Sequence, residues 1–115
     1  MPEVVLLRAG EVVAGRDLAA ERRAGVRERD WCRGPGRLTT ALGVGGALSG
    51  VDLCACDSPL VLGEGEATQD AVVRTGPRVG VSGPGGDGAA YPWRFWVDGD
   101  PTVSAYRQAA ARRRR

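Results

Sequence analysis

Short apolar runs separated by glycine and proline follow one another along the chain, and they predict short strands and helices. Residues 3–8 are mostly valine and leucine, end before Gly10, and predict a buried strand with Arg8 at its rim. Residues 17–24 are rich in alanine, leucine, glutamate and arginine, which predicts a helix closed by Gly25.

A second helix is predicted after Pro35, because proline suits the first helical turn and Gly43 can end the helix. Further strands are predicted over residues 59–62, 78–81 and the aromatic run 93–97, with a loop over residues 82–90. Asp100 and Pro101 favour the start of a last helix over residues 101–110. The pattern predicts one α+β domain, or a piece of one.

Composition limits the chemistry that the chain can perform. With 115 residues, the chain is long enough for one domain and no more. The histidine count is 0, which excludes serine–histidine and cysteine–histidine nucleophiles and the usual zinc-enzyme ligand sets. Acid–base chemistry would have to come from carboxylates, tyrosine, cysteine or water.

Cysteine usage and the amino-terminal residues indicate the compartment. Cys32, Cys54 and Cys56 form an odd set without the spacing of a disulfide framework or a zinc site, so reduced thiols are expected. The apolar run after Met1 is too short for a signal or membrane segment. We therefore expect a soluble cytoplasmic protein, with no membrane partner and no metal.

Charge is distributed unevenly along the chain. All 16 basic residues are arginine; four of them form the tail 112–115, without which 12 arginines face 14 acidic residues. Residues 22–37 hold six arginines and two acids, whereas residues 52–70 hold five acids and no arginine. This asymmetry is compatible with a one-sided nucleic-acid surface, and equally with ordinary solvated helix faces. The tail is expected to be disordered and to attract phosphate non-specifically.

Two motifs suggest a nucleotide-binding function, but the residues around them favour other interpretations. Gly83 to Gly88 formally matches the dinucleotide pattern G-x-G-x-x-G, but a strand rather than a helix is predicted to follow, so a flexible loop is favoured. Trp31, Trp93 and Trp96 could stack on nucleobases, although for Trp93 and Trp96 a place in the core is favoured.

Six segments, taken in order, resemble one protein family, the 3-methyladenine (alkyladenine) DNA glycosylases of the monomeric type with a curved antiparallel sheet. The segments are Val5-Leu6-Leu7-Arg8-Ala9-Gly10-Glu11, Arg33-Gly34-Pro35-Gly36-Arg37-Leu38 with Ala41-Leu42-Gly43-Val44, Gly50-Val51-Asp52-Leu53, Pro59-Leu60-Val61-Leu62, Gly76-Pro77-Arg78-Val79-Gly80-Val81 and Trp93-Arg94-Phe95-Trp96-Val97. The resemblance implies an α+β fold with helices packed on that sheet. It places residues 1–111 in the C-terminal part of a single glycosylase-like domain, N-terminally truncated, followed by the tail.

The resemblance implies DNA base-excision repair. Such an enzyme flips an alkylated or deaminated purine out of the duplex and cleaves its N-glycosidic bond with water. Cleavage passes through an oxocarbenium-like state, so a carboxylate must activate the water on the face opposite the leaving base. In the family this glutamate, the stacking side chains of the pocket and the intercalating hairpin lie N-terminal to the Leu-Leu-Arg strand, and the chain is expected to lack them.

Some roles are carried over by the resemblance onto matching positions. Arg8 matches an arginine that helps hold the attacking water and approaches the DNA backbone, and the carbonyl of Val79 contacts the same water. Leu6 matches a wall of the substrate pocket, whereas Arg37 and Gly80 lie near the DNA. Arg33 joins them as a DNA-binding candidate. Four of these residues also have an alternative role without function: Arg8 could form a structural ion pair, Leu6 and Val79 could be core residues, and Arg37 could be plain surface charge.

Three hypotheses follow. The chain is a DNA N-glycosylase (a hydrolase) that needs no cofactor, acts as a monomer on duplex DNA with a damaged purine, and resides in the cytoplasm at the nucleoid. Alternatively, it is a truncated, non-catalytic remnant that binds DNA weakly through Arg8, Arg33, Arg37 and the tail. A third hypothesis is a fragment without stable structure, because strand 3–8 would lack its sheet partners.

Overall fold

A computed structural model of the chain describes residues 4–65 and 72–109. The chain divides into two compact units, Met1–Ala67 and Thr68–Arg115, which we call the first and the second unit. The first unit contains helices α1 (Arg16–Arg22) and α2 (Pro35–Leu42), and the second contains strands β1 (Val73–Gly76) and β2 (Arg94–Val97). The coarse prediction of a small α+β protein is confirmed.

Helix α2 begins and ends where the sequence predicts. Pro35 occupies its first turn, and Gly43 adopts a left-handed conformation with φ 67° just after it. The N–H groups of Gly43 and Val44 donate to the carbonyls of Thr40 and Thr39, at 3.2 and 2.9 Å. These bonds satisfy carbonyls that the helix itself leaves unpaired, which is why glycine ends the helix here.

The core of the first unit is small and lies between the two helices. Its buried residues are Ala19 of α1, Ala41 of α2, Trp31 and Cys32, flanked by Val12, Val26 and Leu38. The alanines allow α1 and α2 to pack closely, since the distance between two helices depends on the side chains at their contact. The indole of Trp31 donates a hydrogen bond of 3.0 Å to the carbonyl of Val26, so its polar atom is satisfied.

A side chain of α1 caps α2 in addition to the glycine. The guanidinium of Arg22 donates to the carbonyl of Ala41 at 3.1 Å, in the last turn of α2. A positive charge is favourable there because the carbonyl end of a helix carries partial negative charge. Helix α1 is two residues shorter than predicted at its end, and Gly25 follows it with φ 78°.

The two strands of the second unit form an antiparallel pair. Val73 lies opposite Val97 and Gly76 lies opposite Arg94. A side chain at Gly76 would crowd Trp96, since a Cβ atom would lie 3.1 Å from the end of its indole. The strand predicted over 93–97 is thus confirmed from Arg94 onward.

Three predicted strands are absent from the residues that the structure describes. Residues 4–8 form no strand; their one bridge is Ala9 to Arg33, just beyond them. Residues 59–62 and 78–81 are irregular: Pro59 lacks an N–H, and Gly80, with φ 70°, turns the chain. The strand of this region lies earlier, at β1.

The last predicted helix is also wrong over the described residues 101–109. The carboxylate of Asp100 accepts hydrogen bonds from the N–H and hydroxyl of Thr102, at 2.8 and 2.7 Å, as a helix cap would. However, the carbonyl of Ser104 accepts a hydrogen bond of 2.6 Å from the guanidinium of Arg94, which is not a hydrogen bond of a helix. Local capping is therefore satisfied without a helix following it.

Candidate nucleic-acid interface

Two arginines meet where the amino-terminal segment of the first unit crosses the start of α2. The N–H of Gly34 donates to the carbonyl of Arg8 at 2.9 Å, and Ala9 forms an antiparallel bridge with Arg33. These backbone contacts fix residue 8 beside residue 33, although no strand forms. Two of the predicted DNA-binding residues, 25 positions apart in sequence, are thereby neighbours.

The start of α2 adds the third predicted arginine. Gly34 precedes the helix with φ 124° and offers no side chain, and no side chain caps this helix end. Arg37 is exposed in the first turn. Free N–H groups at a helix start, with arginines around them, favour an anion such as a phosphate. We call Arg8, Arg33, Arg37 and this helix start the basic junction.

An aspartate moderates the charge of the basic junction. Asp30 lies 3.4 Å from the guanidinium nitrogens of both Arg27 and Arg33. Burial raises the pKa of Asp30, but Arg27 and the hydrogen bond from Arg33 outweigh this, so the pKa lies below its ordinary value. Asp30 is therefore ionised at neutral pH. Its carboxylate orients the guanidinium of Arg33 and neutralises part of the positive charge of that side chain.

Leu6, the predicted pocket residue, is 68% exposed in the first unit. An open depression of about 480 Å³ lies instead along residues 13–18, and none of the predicted site residues lines it. The pocket role of Leu6 stays a prediction.

Val79 and Gly80 lie in a turn of the second unit. Val79 is half-buried and Gly80 is exposed. The N–H of Gly80 donates to the carbonyl of Arg107 at 3.0 Å, which ties this turn to the residues after β2. The proposed contact of Val79 with an attacking water stays a prediction.

Sequence reasoning missed an arginine–aromatic group in the second unit. The guanidinium of Arg78 lies 5.6 Å from the ring centre of Trp93, which in turn packs edge-on against Tyr91 at 5.1 Å. Arg94 lies 4.6 Å from the ring centre of Trp96. The position of Arg94 among the aromatic residues of the run 93–97 was the available signal. The favoured core position of Trp93 is wrong, because its side chain is 60% exposed.

The thiols are not arranged for chemistry. Cys32 is buried, whereas Cys54 and Cys56 are exposed, and all three are free. Burial raises the pKa of the Cys32 thiol, against the opposing effect of Arg23, so it stays protonated at neutral pH. Among the residues that the structure describes, no three His, Cys, Asp or Glu side chains form a group that could hold a metal ion.

These features define a small α+β protein in which backbone contacts bring residues 8 and 33 together at the start of α2. Within the described ranges, no helix is long and apolar enough to cross a membrane. The methylpurine-DNA glycosylase (MPG) family pattern matches residues 1–101. The chain therefore belongs to the methylpurine-DNA glycosylase family.

Curated relatives are similar over nearly the whole chain. A protein of Streptomyces avermitilis is 52% identical over 113 residues, which are 96% of this chain and 52% of the relative. Proteins of Leifsonia xyli subsp. xyli and Bacillus subtilis are 47% and 40% identical, over 93% and 90% of this chain and 50% of each relative. All three carry the name "Putative 3-methyladenine DNA glycosylase". The chain thus spans about half the length of these relatives.

Proposed function

We propose that the chain acts in DNA base-excision repair, as a glycosylase that releases alkylated or deaminated purines from duplex DNA. The observation that carries this proposal is the family match over residues 1–101, together with relatives named for 3-methyladenine excision. In the reaction the damaged base is flipped out, the N-glycosidic bond breaks, and a water oxygen bonds to the sugar carbon. The base leaves with the electron pair of the broken bond, and the water releases a proton as its oxygen bonds to the sugar. A cationic alkylated base leaves as a neutral molecule, whereas a neutral deaminated base takes up a proton.

Arg8 is the residue to which we assign the largest role. A guanidinium can hold the attacking water and bond to a phosphate at the same time, because it carries five N–H donors. Its backbone is fixed by the bond from Gly34, which limits the positions that the side chain can reach. The carbonyl of Val79 is the second proposed contact of the water, and Leu6 the proposed pocket wall.

The basic junction is the proposed contact with the DNA backbone, and Gly80 lies near the DNA in the second unit. Phosphate contacts position a protein on a duplex without reading its sequence, which suits an enzyme that must find damage in any sequence. The logarithm of the binding constant should fall as the logarithm of the salt concentration rises. If Arg8, Arg33 and Arg37 each neutralise one phosphate, they should together contribute about −2.7 to the slope of that line.

A second candidate function is weak, non-specific DNA binding without excision. The exposure of Leu6 favours it, because a pocket that grips a flipped base needs walls that exclude water. The basic junction would serve this function equally well.

Base release separates the two functions. The 115-residue chain is incubated with a duplex oligonucleotide carrying one methylated adenine and, as control, with the unmodified duplex, and free base is measured by mass spectrometry. Release of the methylated base alone, with duplex binding, is the result expected of a glycosylase, and it would show that a carboxylate of this chain activates the water in place of the glutamate that the resemblance implies. Binding to both duplexes without release would establish the second function, and the absence of both binding and release would overturn both proposals.

A further inference from the structure

Strand β2 and the residue before it expose two aromatic rings on one side. Exposure alternates over residues 92–97, where Trp93, Phe95 and Val97 are exposed and the residues between them are half-buried. The exposed fractions are 60% for Trp93 and 68% for Phe95. Side chains two positions apart in an extended chain lie on the same side, so the two rings share one surface, about 7 Å apart along the chain. We call Trp93 and Phe95 the aromatic face.

Neighbouring side chains hold Trp93 in its exposed position. The guanidinium of Arg78 lies over the ring of Trp93, 5.6 Å from its centre, and Tyr91 packs edge-on against the same ring. Arg78 also donates a hydrogen bond of 3.2 Å to the carbonyl of Gly85, which fixes the guanidinium. A ring that is already held at the surface loses little conformational freedom when a ligand stacks on it. Trp93 is therefore preorganised for stacking, with a positive charge beside it.

The sequence of the second unit carries an excess of positive charge. Residues 68–115 contain eight arginines and four acidic residues, a formal net charge of +4. Residues 1–67, in contrast, contain eight arginines and ten acidic residues. The unit that exposes the aromatic face is thus the one whose charge attracts polyanions.

Aromatic rings together with positive charge indicate the occupant of this surface. Apolar contact alone would fit a protein partner equally well, but the excess of arginine favours a chain of phosphates. The bases of a duplex are stacked on one another, so a protein ring can stack on a base only where the strand is unpaired. We propose that the aromatic face stacks bases of a single-stranded nucleic acid, while the arginines of the second unit attract its phosphates. This inference does not depend on whether the chain excises a base.

The test measures, by fluorescence anisotropy, the binding of a labelled oligothymidine of about twelve nucleotides to the 115-residue chain. Loss of one base stacked on an aromatic ring weakens binding by about fivefold to 150-fold. We therefore expect Phe95→Ala to weaken the binding of oligothymidine at least about fivefold. An abasic oligonucleotide of the same length, which has phosphates but no bases, should bind the wild type more weakly by at least the same factor. Binding of a duplex should change by less than about twofold in Phe95→Ala, because its bases are paired.

Two further variants of Phe95 separate stacking from apolar contact. Phe95→Leu keeps an apolar side chain but has no ring, so it should bind oligothymidine as weakly as Phe95→Ala. Phe95→Trp keeps a ring and should bind at least as tightly as the wild type. Both variants should fold, because the position is exposed. As a control in the first unit, Leu62→Ala removes an apolar side chain that is 62% exposed, and it should leave binding unchanged within about twofold.

Four results would overturn the proposal. The first is the absence of binding to oligothymidine. The second is binding by Phe95→Leu as tight as that of the wild type, which would show that apolar surface suffices. The third is equal binding of oligothymidine and the abasic oligonucleotide, which would leave only attraction between charges. The fourth is a dimer of the chain, detected by light scattering, that Phe95→Asp dissociates, since it would identify a second copy as the occupant.

Discussion

Replacing Trp31 by alanine should remove most of the stability of the first unit. Among the residues that the structure describes in this unit, four are buried, and Trp31 is the one large side chain of the four, with 8% of its surface exposed. Truncation of a buried tryptophan to alanine costs about 3–5 kcal/mol. At about 0.05–0.15 kcal/mol per residue, a unit of roughly sixty residues has about 3–9 kcal/mol in total. On central values the variant should therefore keep only about a third of this stability, about 2 kcal/mol, and unfold at a much lower urea concentration than the wild type.

A conservative variant separates packing from hydrogen bonding. Trp31→Phe keeps a ring in the core but removes the N–H that donates to the carbonyl of Val26. That carbonyl would be left without its partner, which costs about 1–3 kcal/mol. The unit should remain folded, with a lower unfolding midpoint.

Urea unfolding followed by far-ultraviolet circular dichroism measures both effects, because α1 and α2 supply the helical signal. Trp93→Ala is the matched control, because its side chain is 60% exposed. It should cost the edge-on contact with Tyr91, about 0.5–1.5 kcal/mol, and the contact with Arg78, about 0.5–1 kcal/mol. Equal unfolding midpoints for Trp31→Ala and Trp93→Ala would refute the assignment of the core.

Three further predictions use other features of the structure. Gly43→Ala should destabilise the chain by about 1–2 kcal/mol, because the left-handed conformation disfavours a Cβ. Gly36→Ala, inside α2, should stabilise it by about 0.5–1 kcal/mol. Urea midpoints of the two variants that shift in the same direction would contradict this prediction. The pKa of Asp30 is lowered in the folded chain, so its contribution to stability is present above the ordinary pKa of 3.8 and is lost as pH falls through the lower folded pKa. Asp30→Asn should therefore be less stable than wild type at pH 7 and equally stable at a pH below both pKa values. A difference in urea midpoint that persists at that acidic pH would contradict the ion pairs of Asp30 with Arg27 and Arg33. In duplex binding, the variant with Arg8, Arg33 and Arg37 all changed to Ala should show a salt slope about 2.7 closer to zero than that of the wild type. Fluorescence anisotropy at several salt concentrations measures both slopes, and an unchanged slope would exclude the basic junction.

Local signals in the sequence predicted the elements that depend on local physics. Pro35 and Gly43 fix the ends of α2, since proline and glycine act through their own backbone preferences. The aromatic alternation predicted β2 in the same way. In contrast, residues 4–8 have the composition of a strand, but a strand also needs a partner, and no periodicity in the sequence specifies one.

In the candidate site, too, some residues are placed by local signals and others by tertiary contacts. Arg33 and Arg37 could be placed at the start of α2 because their position relative to the helix is local. That Arg8 lies beside Arg33 depends on a bridge between distant segments, and the capping of α2 by Arg22 depends on how two helices pack. Such contacts arise from tertiary structure, so the pattern of the chain alone could not predict them. The catalytic roles of Arg8 and Val79 stay predictions.

The most direct test of the proposed function compares Arg8→Ala with Arg107→Ala in the release of methylated adenine from duplex DNA. Both variants remove one positive charge, but only Arg8 belongs to the basic junction. Loss of one preorganised donor at a reacting centre lowers the rate by about a hundredfold or more. We expect that loss for Arg8→Ala, with Arg107→Ala close to wild type. Equal rates for the two variants, or no release by the wild-type chain, would contradict it.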